Sequence, residues 1–558
     1  MNNAAPSQSR QALPPDAGER ERIVRRAALV SAGTGLSRIL GFARDMLIAH
    51  FLGAGPVADV FLAVLRLPNI LRRLLTEGAV AMPFTPLYLN LARTEGETRA
   101  NAFARAARAW ALGVSGLFCG LGLLLPLPLL LALAPGLLDR LTALPGGAAL
   151  ADTLMRVSLL YVPPIILSCV NSALLQSRGN YLAPALAPCI LNVCFLLPLL
   201  ALLGGGQLDF FTHTPHSARL AALALIWALP LAGAAQMLYL GRAVRQTGFR
   251  APGGLNWRDT AVFRLARVLP SSLCLTAAHQ IAVLIAIMAA SFLPGGYITQ
   301  VHFADQLIEL PLGLFGMALA VAVLPSFSAL AAPNQRDELR KALTLSLRLV
   351  LFVALPAAAG LFGLAYPLID LLFGHGAFDR AAVEGCAALL AGYAPCLPAL
   401  AAARPLIAAI HALQRTPRAA LAALLAFAVT GLACLSVVLA APVLIANTTP
   451  QTLSLALGLA ISLGAFAFMI LLLRVLALNH AAPDLKPALK SLRLPLALSL
   501  VMAGLCRAGA AYFPEHSLAL VLALVPGCAL GYGVACLAAG CPEARQLMKL
   551  LFARKKSS

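Results

Sequence analysis

An all-α integral membrane fold with fourteen transmembrane helices is predicted from three features: overall composition, the length of the apolar blocks, and the placement of arginine and lysine. The chain has 558 residues, 60% of them hydrophobic and 11% charged, and its mean hydropathy is +0.85. A soluble domain carries about 25% charged residues. The apolar blocks are long enough to cross a hydrocarbon core of roughly 30 Å as helices. In lipid every backbone polar group needs an internal partner, so only helices or closed barrels can span. The period-two alternation of a barrel strand is absent from the sequence.

The first 26 residues are polar, with Pro14, Pro15 and a cluster of Glu and Arg, and read as a cytoplasmic tail (1–26) without a cleaved signal. Six helices at 27–53, 57–91, 103–134, 148–178, 182–204 and 218–246 form an amino-terminal lobe over 27–246. Six more at 259–293, 298–331, 338–373, 381–412, 418–445 and 452–478 form a second lobe over 259–478. Two last helices at 489–512 and 517–540 make a further unit (489–540), followed by a basic cytoplasmic tail (541–558). The connections are short and carry turn signals such as Gly53-Ala54-Gly55-Pro56 and Pro294-Gly295-Gly296.

An internal repeat supports the two lobes. Met82-Pro83-Phe84 is followed by a cationic loop with Glu97 and Arg99, and Leu324-Pro325-Ser326 by a similar loop with Glu338 and Arg340. Tyr161 with Pro163 and Tyr393 with Pro395 open a second matching pair. The offset is roughly 230–240 residues in each case, and repeated halves of this kind usually hold a substrate between them.

Net charge is +20. There is no nucleic-acid recognition motif, so cationic loops on an anionic inner leaflet are the better reading. With the N-terminus inside, inside connections hold Arg25, Arg26, Arg93, Arg99, Arg178, Arg245, Arg250, Arg336, Arg340, Arg415, Lys486 and Lys490, among others. Outside connections hold only Arg140, Arg219 and Arg380. Both ends are therefore expected in the cytoplasm. The 12 cysteines lie singly in apolar segments without a metal-ligand spacing and read as small buried residues.

The strongest local signal is charge inside apolar segments. Helix 1 carries Arg38, Arg44 and Asp45, and helix 2 carries Asp59, Arg66, Arg72, Arg73 and Glu77. Each Arg at mid-bilayer costs about 2.5–3.5 kcal/mol on insertion scales. These residues must therefore pair or face a wet cavity. Arg38 and Asp45 share a helix face, and Asn69, Arg73 and Glu77 form a stripe at four-residue spacing. Arginines outnumber acids here, which points to an anionic, phosphorylated substrate suited to the guanidinium fork. Snorkelling to the cytoplasmic surface, or mutual neutralisation, is the alternative that spacing leaves open. Helix 8 carries Asp305 and Glu309 one turn apart, able to clamp opposing arginines or hold a coupling ion. Arg404, before Pro405 in helix 10, is a further intramembrane charge for pairing or cavity lining. The histidines form no ligand cluster in the sequence.

Ser37-Arg38-Ile39-Leu40-Gly41-Phe42-Ala43-Arg44-Asp45 resembles the first-helix motif of the MurJ/MviN family of lipid II flippases. Asp59-Val60-Phe61, Leu67-Pro68-Asn69, Arg72-Arg73 and Glu77-Gly78-Ala79 continue the match, as do Ala304-Asp305, Glu309-Leu310-Pro311, Gly313, Gly316 and Leu324-Pro325. The resemblance covers nearly the whole chain. It implies the multidrug/oligosaccharidyl-lipid/polysaccharide exporter fold: two six-helix lobes around a central cavity, with helices 13 and 14 forming a groove for an undecaprenyl tail. Arg38, Arg44 and Arg72 match family positions associated with the substrate's pyrophosphate; Asp59 matches a functional acid. Two positions depart from the pattern. Gln306 stands where the family commonly has arginine, and the acid often found before the helix-11 Thr-Pro is missing from Leu413-Gln414-Arg415-Thr416-Pro417. No metal ligand is carried over.

The resemblance implies a transporter of the bacterial inner membrane, not an enzyme. It would move undecaprenyl-pyrophosphoryl disaccharide-pentapeptide outward for peptidoglycan synthesis. Substrate contacts are expected from Arg38, Arg44, Arg72 and Arg73, and gating or charge pairing from Asp45, Asp59, Glu77, Asp305, Glu309 and Arg404. No cofactor is expected; there is no P-loop, and a membrane potential or ion gradient is the expected drive. Partners are lipid II, membrane lipids and the cell-wall synthesis machinery, with the chain acting as a monomer. The rivals are an exporter of another polyprenyl-linked glycan and a membrane glycosyltransferase, the latter opposed by short outside loops with few acids.

Overall fold

Apolar segments that find no hydrogen-bond partner in lipid close their backbone bonds within themselves. The chain accordingly forms helix after helix, with no strand among the described residues. The structure is a computed structural model and describes residues 17–74, 80–204, 215–250, 256–330, 332–512 and 517–552.

The first predicted segment is α1 (Ala17–Leu52). The second is split into α2 (Pro56–Leu74) and α3 (Ala81–Thr94), and the third into α4 (Glu97–Leu124) and α5 (Pro126–Leu133). A short α6 (Leu137–Ala143) lies in the next connection. The fourth segment is α7 (Gly147–Leu159) with α8 (Val162–Ser177); α9 (Leu182–Gly204) and α10 (Pro215–Gln246) complete the first half. The second half begins with α11 (Thr260–Thr276) and α12 (Ala278–Ser291), then α13 (Tyr297–Ala329). Next come α14 (Arg336–Gly363), α15 (Ala365–Phe373), α16 (Arg380–Tyr393) and α17 (Cys396–Ala412). The remaining helices are α18 (Thr416–Asn447), α19 (Pro450–Ala477), α20 (Leu485–Tyr512), α21 (Ser517–Ala538) and α22 (Pro542–Phe552).

Each of the fourteen predicted segments coincides with one helix or two consecutive ones. Nine spans among the described residues are long and apolar enough to cross a membrane, or ten if α16 and α17, bent by 46°, count as one. Helices α1 and α2 are not among the nine; their apolar runs are interrupted by Arg38, Arg44, Asp45, Asp59, Arg66, Arg72 and Arg73.

The repeat is visible in the backbone. Tyr161 sits at the break between α7 and α8, and Tyr393 at the break between α16 and α17; both are fully buried. Pro163 and Pro164 follow the first break and Pro395 lies in the second; proline removes a backbone donor and crowds the preceding turn. Helices α1 and α9, α9 and α10, and α8 with α3, α4 and α10 pack within the first half. Helices α18 and α19, α16 and α19, and α17 with α13, α14 and α19 pack within the second. Helix α2 meets α13 between them, α20 lies along α14, and α21 packs on α15 and α20.

Two boundaries differ from the sequence reading. Helix α1 starts at Ala17, inside the stretch read as a tail; its Glu and Arg are good helix formers at favourable spacings. The segment read as a basic tail starts with α22. Its Glu543 is fully buried and pairs with Arg348 of α14 at 2.6 Å. The sequence signal was present, since Pro542 at the first helical position and Glu543 in the first turn favour a helix start.

Candidate functional site

Helix geometry decides which charges meet. Arg38, Arg44 and Asp45 of α1 face Arg72 and Arg73 of α2, Asn192 of α9 and Gln306, Glu309 and Leu310 of α13 around one cavity. The space between these side chains, mouth included, is about 770 Å³. Four arginines and two carboxylates, Asp45 and Glu309, line it. Ser37, Gly41, Phe42, Pro188 and Leu191 complete the wall.

The arginines are held differently. Arg44 donates from Nε (2.9 Å) and Nη2 (2.7 Å) to Oδ1 of its neighbour Asp45, and from Nη1 to Oδ1 of Asn192 at 3.1 Å. Asn192 in turn donates to the Ser37 carbonyl at 2.7 Å. Asp45 therefore pairs with Arg44, not with Arg38, although Arg38 shares its face. Arg38 reaches across to α13, donating to the Leu310 carbonyl at 3.2 Å. Its guanidinium lies against Gly313, where any Cβ would collide with it. Arg73 forms an ion pair with Glu309 of α13 and donates to Oε1 of Gln306 at 3.4 Å.

Gln306 joins the two sides of the cavity. Its Nε2 donates to Oδ2 of Asp45 at 2.8 Å while its Oε1 accepts from Arg73. An amide can do both at once; an arginine at this position would have no acceptor for Arg73.

Beneath the cavity wall, Arg66 of α2 is buried, 3.7 Å from Oδ2 of Asp305, and donates to the Gln280 carbonyl at 3.2 Å. Oδ1 of Asp305 accepts from Tyr393 (3.1 Å) and lies 3.1 Å from Nε2 of His279. Glu309 accepts from Gln280 at 2.9 Å, with His279 at 3.9 Å. His279, Asp305 and Glu309 bring their ligand atoms within 4.8 Å of one another. Arg66 and Arg73 already pair with these carboxylates, so the cluster suits arginine better than a metal ion.

Asp59 is elsewhere. It is fully buried at the start of α2, paired with Arg140 at 2.6 Å and bonded to residues of α13 and its preceding turn. Arg404 is half-buried in α17 and is not among the residues lining the cavity. Glu77 lies outside the described residues. Sequence reasoning passed over Asn192 and Gln280 and gave His279 no role. Each is a polar side chain in an apolar helix, and that isolation is the signal that marks them.

Two packed helical halves around a charged cavity are the architecture of a membrane transporter. Solved structures share that fold. One described as lipid II flippase MurJ in an inward closed conformation superimposes with a TM-score of 0.72 at 18% identity, covering 93% of this chain and all of that one. An inward-facing MATE family multidrug transporter of the MOP superfamily gives 0.60 at 14% identity, over 81% of this chain and 99% of its own.

The family model for lipid II flippase MurJ matches residues 48–525, and the chain belongs to that family. The lipid II flippase MurJ of Burkholderia cenocepacia is 32% identical over 372 residues, 65% of this chain and 68% of its own. The probable lipid II flippase MurJ of Vibrio cholerae is 30% identical over 377 residues, 67% of this chain and 69% of its own.

Proposed function

We propose that this chain moves lipid II, undecaprenyl-pyrophosphoryl disaccharide-pentapeptide, from the cytoplasmic to the periplasmic leaflet of the bacterial inner membrane for peptidoglycan synthesis. Family membership supports the substrate. The observation that carries the mechanism is the cavity, where four arginines meet only two carboxylates. A wall with two positive charges in excess attracts an anion, and a pyrophosphate offers the paired oxygens that a guanidinium fork matches.

In this reading residues 27–246 and 259–478 act as lobes that rock about the cavity, and α20 and α21 shape a groove for the lipid tail. Arg38, Arg44, Arg72 and Arg73 receive the pyrophosphate from the cytoplasmic side. Arg73 exchanges Glu309 for phosphate oxygens, which loosens the contact between α2 and α13. No bond is made or broken in the substrate. A membrane potential or ion gradient supplies the work; each charge moved is worth about 2.3 kcal/mol per 100 mV. Both termini lie in the cytoplasm.

Two experiments test this. Expression of the chain in flippase-depleted cells should restore growth and lipid II translocation measured directly; growth arrest with lipid II held in the inner leaflet rejects the function. In a cysteine-free background an impermeant thiol reagent should label His213→Cys but not Arg250→Cys in intact spheroplasts. The reverse pattern rejects the orientation.

A further inference from the structure

Arg140 is one of the few arginines in connections predicted to lie outside, and its position explains its presence there. It stands on α6, in the first half, yet most of its hydrogen bonds go to the second half. From Nη1 it pairs with Asp59 at 2.6 Å. From Nη2 it donates to the carbonyls of Pro294 (3.0 Å) and Leu293, in the turn between α12 and α13. Asp59 is equally divided. Its Oδ2 also accepts from the Gly296 amide at 2.8 Å, and its Oδ1 accepts from the Thr299 amide (2.9 Å) and hydroxyl (2.8 Å).

The surroundings are built for close approach of the halves. The Gly136 amide donates to the Ser291 hydroxyl at 2.9 Å, again from first half to second. Gly296 has φ +96°, and a Cβ there would stand 2.8 Å from the Ala54 carbonyl. The Ala377 amide donates to the His50 carbonyl at 2.8 Å. This end of the molecule is shut by polar contacts instead of apolar packing alone.

We propose that Arg140 is a positioning residue for transport: with Asp59 it forms a latch that holds the outer end closed until the substrate is loaded. The inference rests on the alternating-access reading. Both charges of the latch belong to the first half, so the ion pair survives when the halves part. What breaks are the bonds to neutral groups of the α12–α13 turn and the start of α13, and those groups then face water. Opening therefore leaves no buried charge without a partner, which lets a buried ion pair serve as a reversible closure.

The test uses the full chain in a cysteine-free background with Ser37→Cys as reporter in the cavity. An impermeant thiol reagent is added to spheroplasts, and in parallel to inverted vesicles, while lipid II translocation is followed. Arg140→Ala should raise the rate of labelling from outside about ten-fold and leave inside labelling no faster. Arg140→Lys keeps the charge on Asp59 but loses the fork, and should raise outside labelling about three-fold; it keeps the proposal testable if the alanine variant misfolds. Outside labelling at the parent rate in a folded variant overturns the latch while leaving alternating access intact, provided the parent is labelled from outside during transport. A parent that moves lipid II yet is never labelled from outside overturns both.

Discussion

The cavity and the closure around Asp59 are both built from carboxylates and half-buried arginines, but their ion pairs connect different parts. Arg72 lies thirteen residues beyond Asp59 on α2, about 20 Å at 1.5 Å per residue. At the closure the charged pair, Asp59 with Arg140, stays within the first half, and neutral groups of the second half complete it. In the cavity Arg44–Asp45 stays within α1 but Arg73–Glu309 runs between the halves, as does Arg66–Asp305 beneath the wall, and arginines are in excess. Separation of the halves breaks charge pairs in the cavity and only hydrogen bonds at the closure. Once parted from Glu309, Arg73 needs a replacement anion; a closure whose pair is retained does not. The substrate can thus displace the first contact directly, and reaches the second only through the movement of the halves.

The largest contrast should lie in stability. Asp59→Ala strands Arg140 and three buried donors, and removing one partner of a buried pair costs about 3–5 kcal/mol. The purified variant should melt several degrees below wild type in detergent. Arg38→Ala should cost about 1 kcal/mol or less, since the Leu310 carbonyl to which it donates is a neutral acceptor. Equal losses in the two variants would erase the distinction between closure and cavity.

A smaller effect is expected at the exchangeable pair. Glu309→Gln weakens the hold on Arg73, so lipid II affinity should rise about five-fold, which corresponds to about 1 kcal/mol. The same substitution should do nothing in an Arg73→Ala background. Additivity in this double-mutant cycle, read from binding to protein in nanodiscs, would mean that Arg73 does not trade Glu309 for substrate.

Gln306 tests the bridge across the cavity. Gln306→Glu sets a carboxylate beside Asp45 and should cost about 1–2 kcal/mol of stability. Gln306→Met loses both hydrogen bonds without adding charge and should cost about half as much. A Glu variant as stable as wild type would show that the Asp45 contact is dispensable. The smallest effect on transport should come from Arg348→Met, remote from both regions. It removes the partner of buried Glu543, so α22 should become accessible to protease while lipid II transport stays within about two-fold of wild type.

The fold was legible because span length and the cost of unpaired backbone leave few alternatives. Among the described residues every predicted segment is helical, and the tyrosine–proline repeat marks the breaks at Tyr161 and Tyr393. Arg38, Arg44, Arg72 and Arg73 stood out because charge in an apolar run requires a reason. Their pairing was not legible. Asn192 and Gln306 reach the cavity, and Gln280 reaches Arg66, from helices more than a hundred residues away, and helical spacing within α1 or α2 carries no information about them. Spacing suggested Arg38 with Asp45, whereas Arg44 bends back onto that acid and Arg38 crosses to Gly313. Asp59 shares a helix with the cavity arginines, yet its position at the helix start puts it at the closure. Arg140 looked like an exception to the charge asymmetry, and only the tertiary contacts give it a role.

The central claim is that the excess arginines of the cavity receive the pyrophosphate of lipid II. The most direct measurement is lipid II affinity for the folded full chain in nanodiscs, compared with Arg38→Ala, Arg44→Ala and Arg72→Ala. Each alanine variant should bind at least about ten-fold more weakly, the loss expected for a charge-assisted hydrogen bond, and each Arg→Lys variant should fall between alanine and wild type. Wild-type affinity in all three folded alanine variants would contradict the account and leave these arginines a structural role alone.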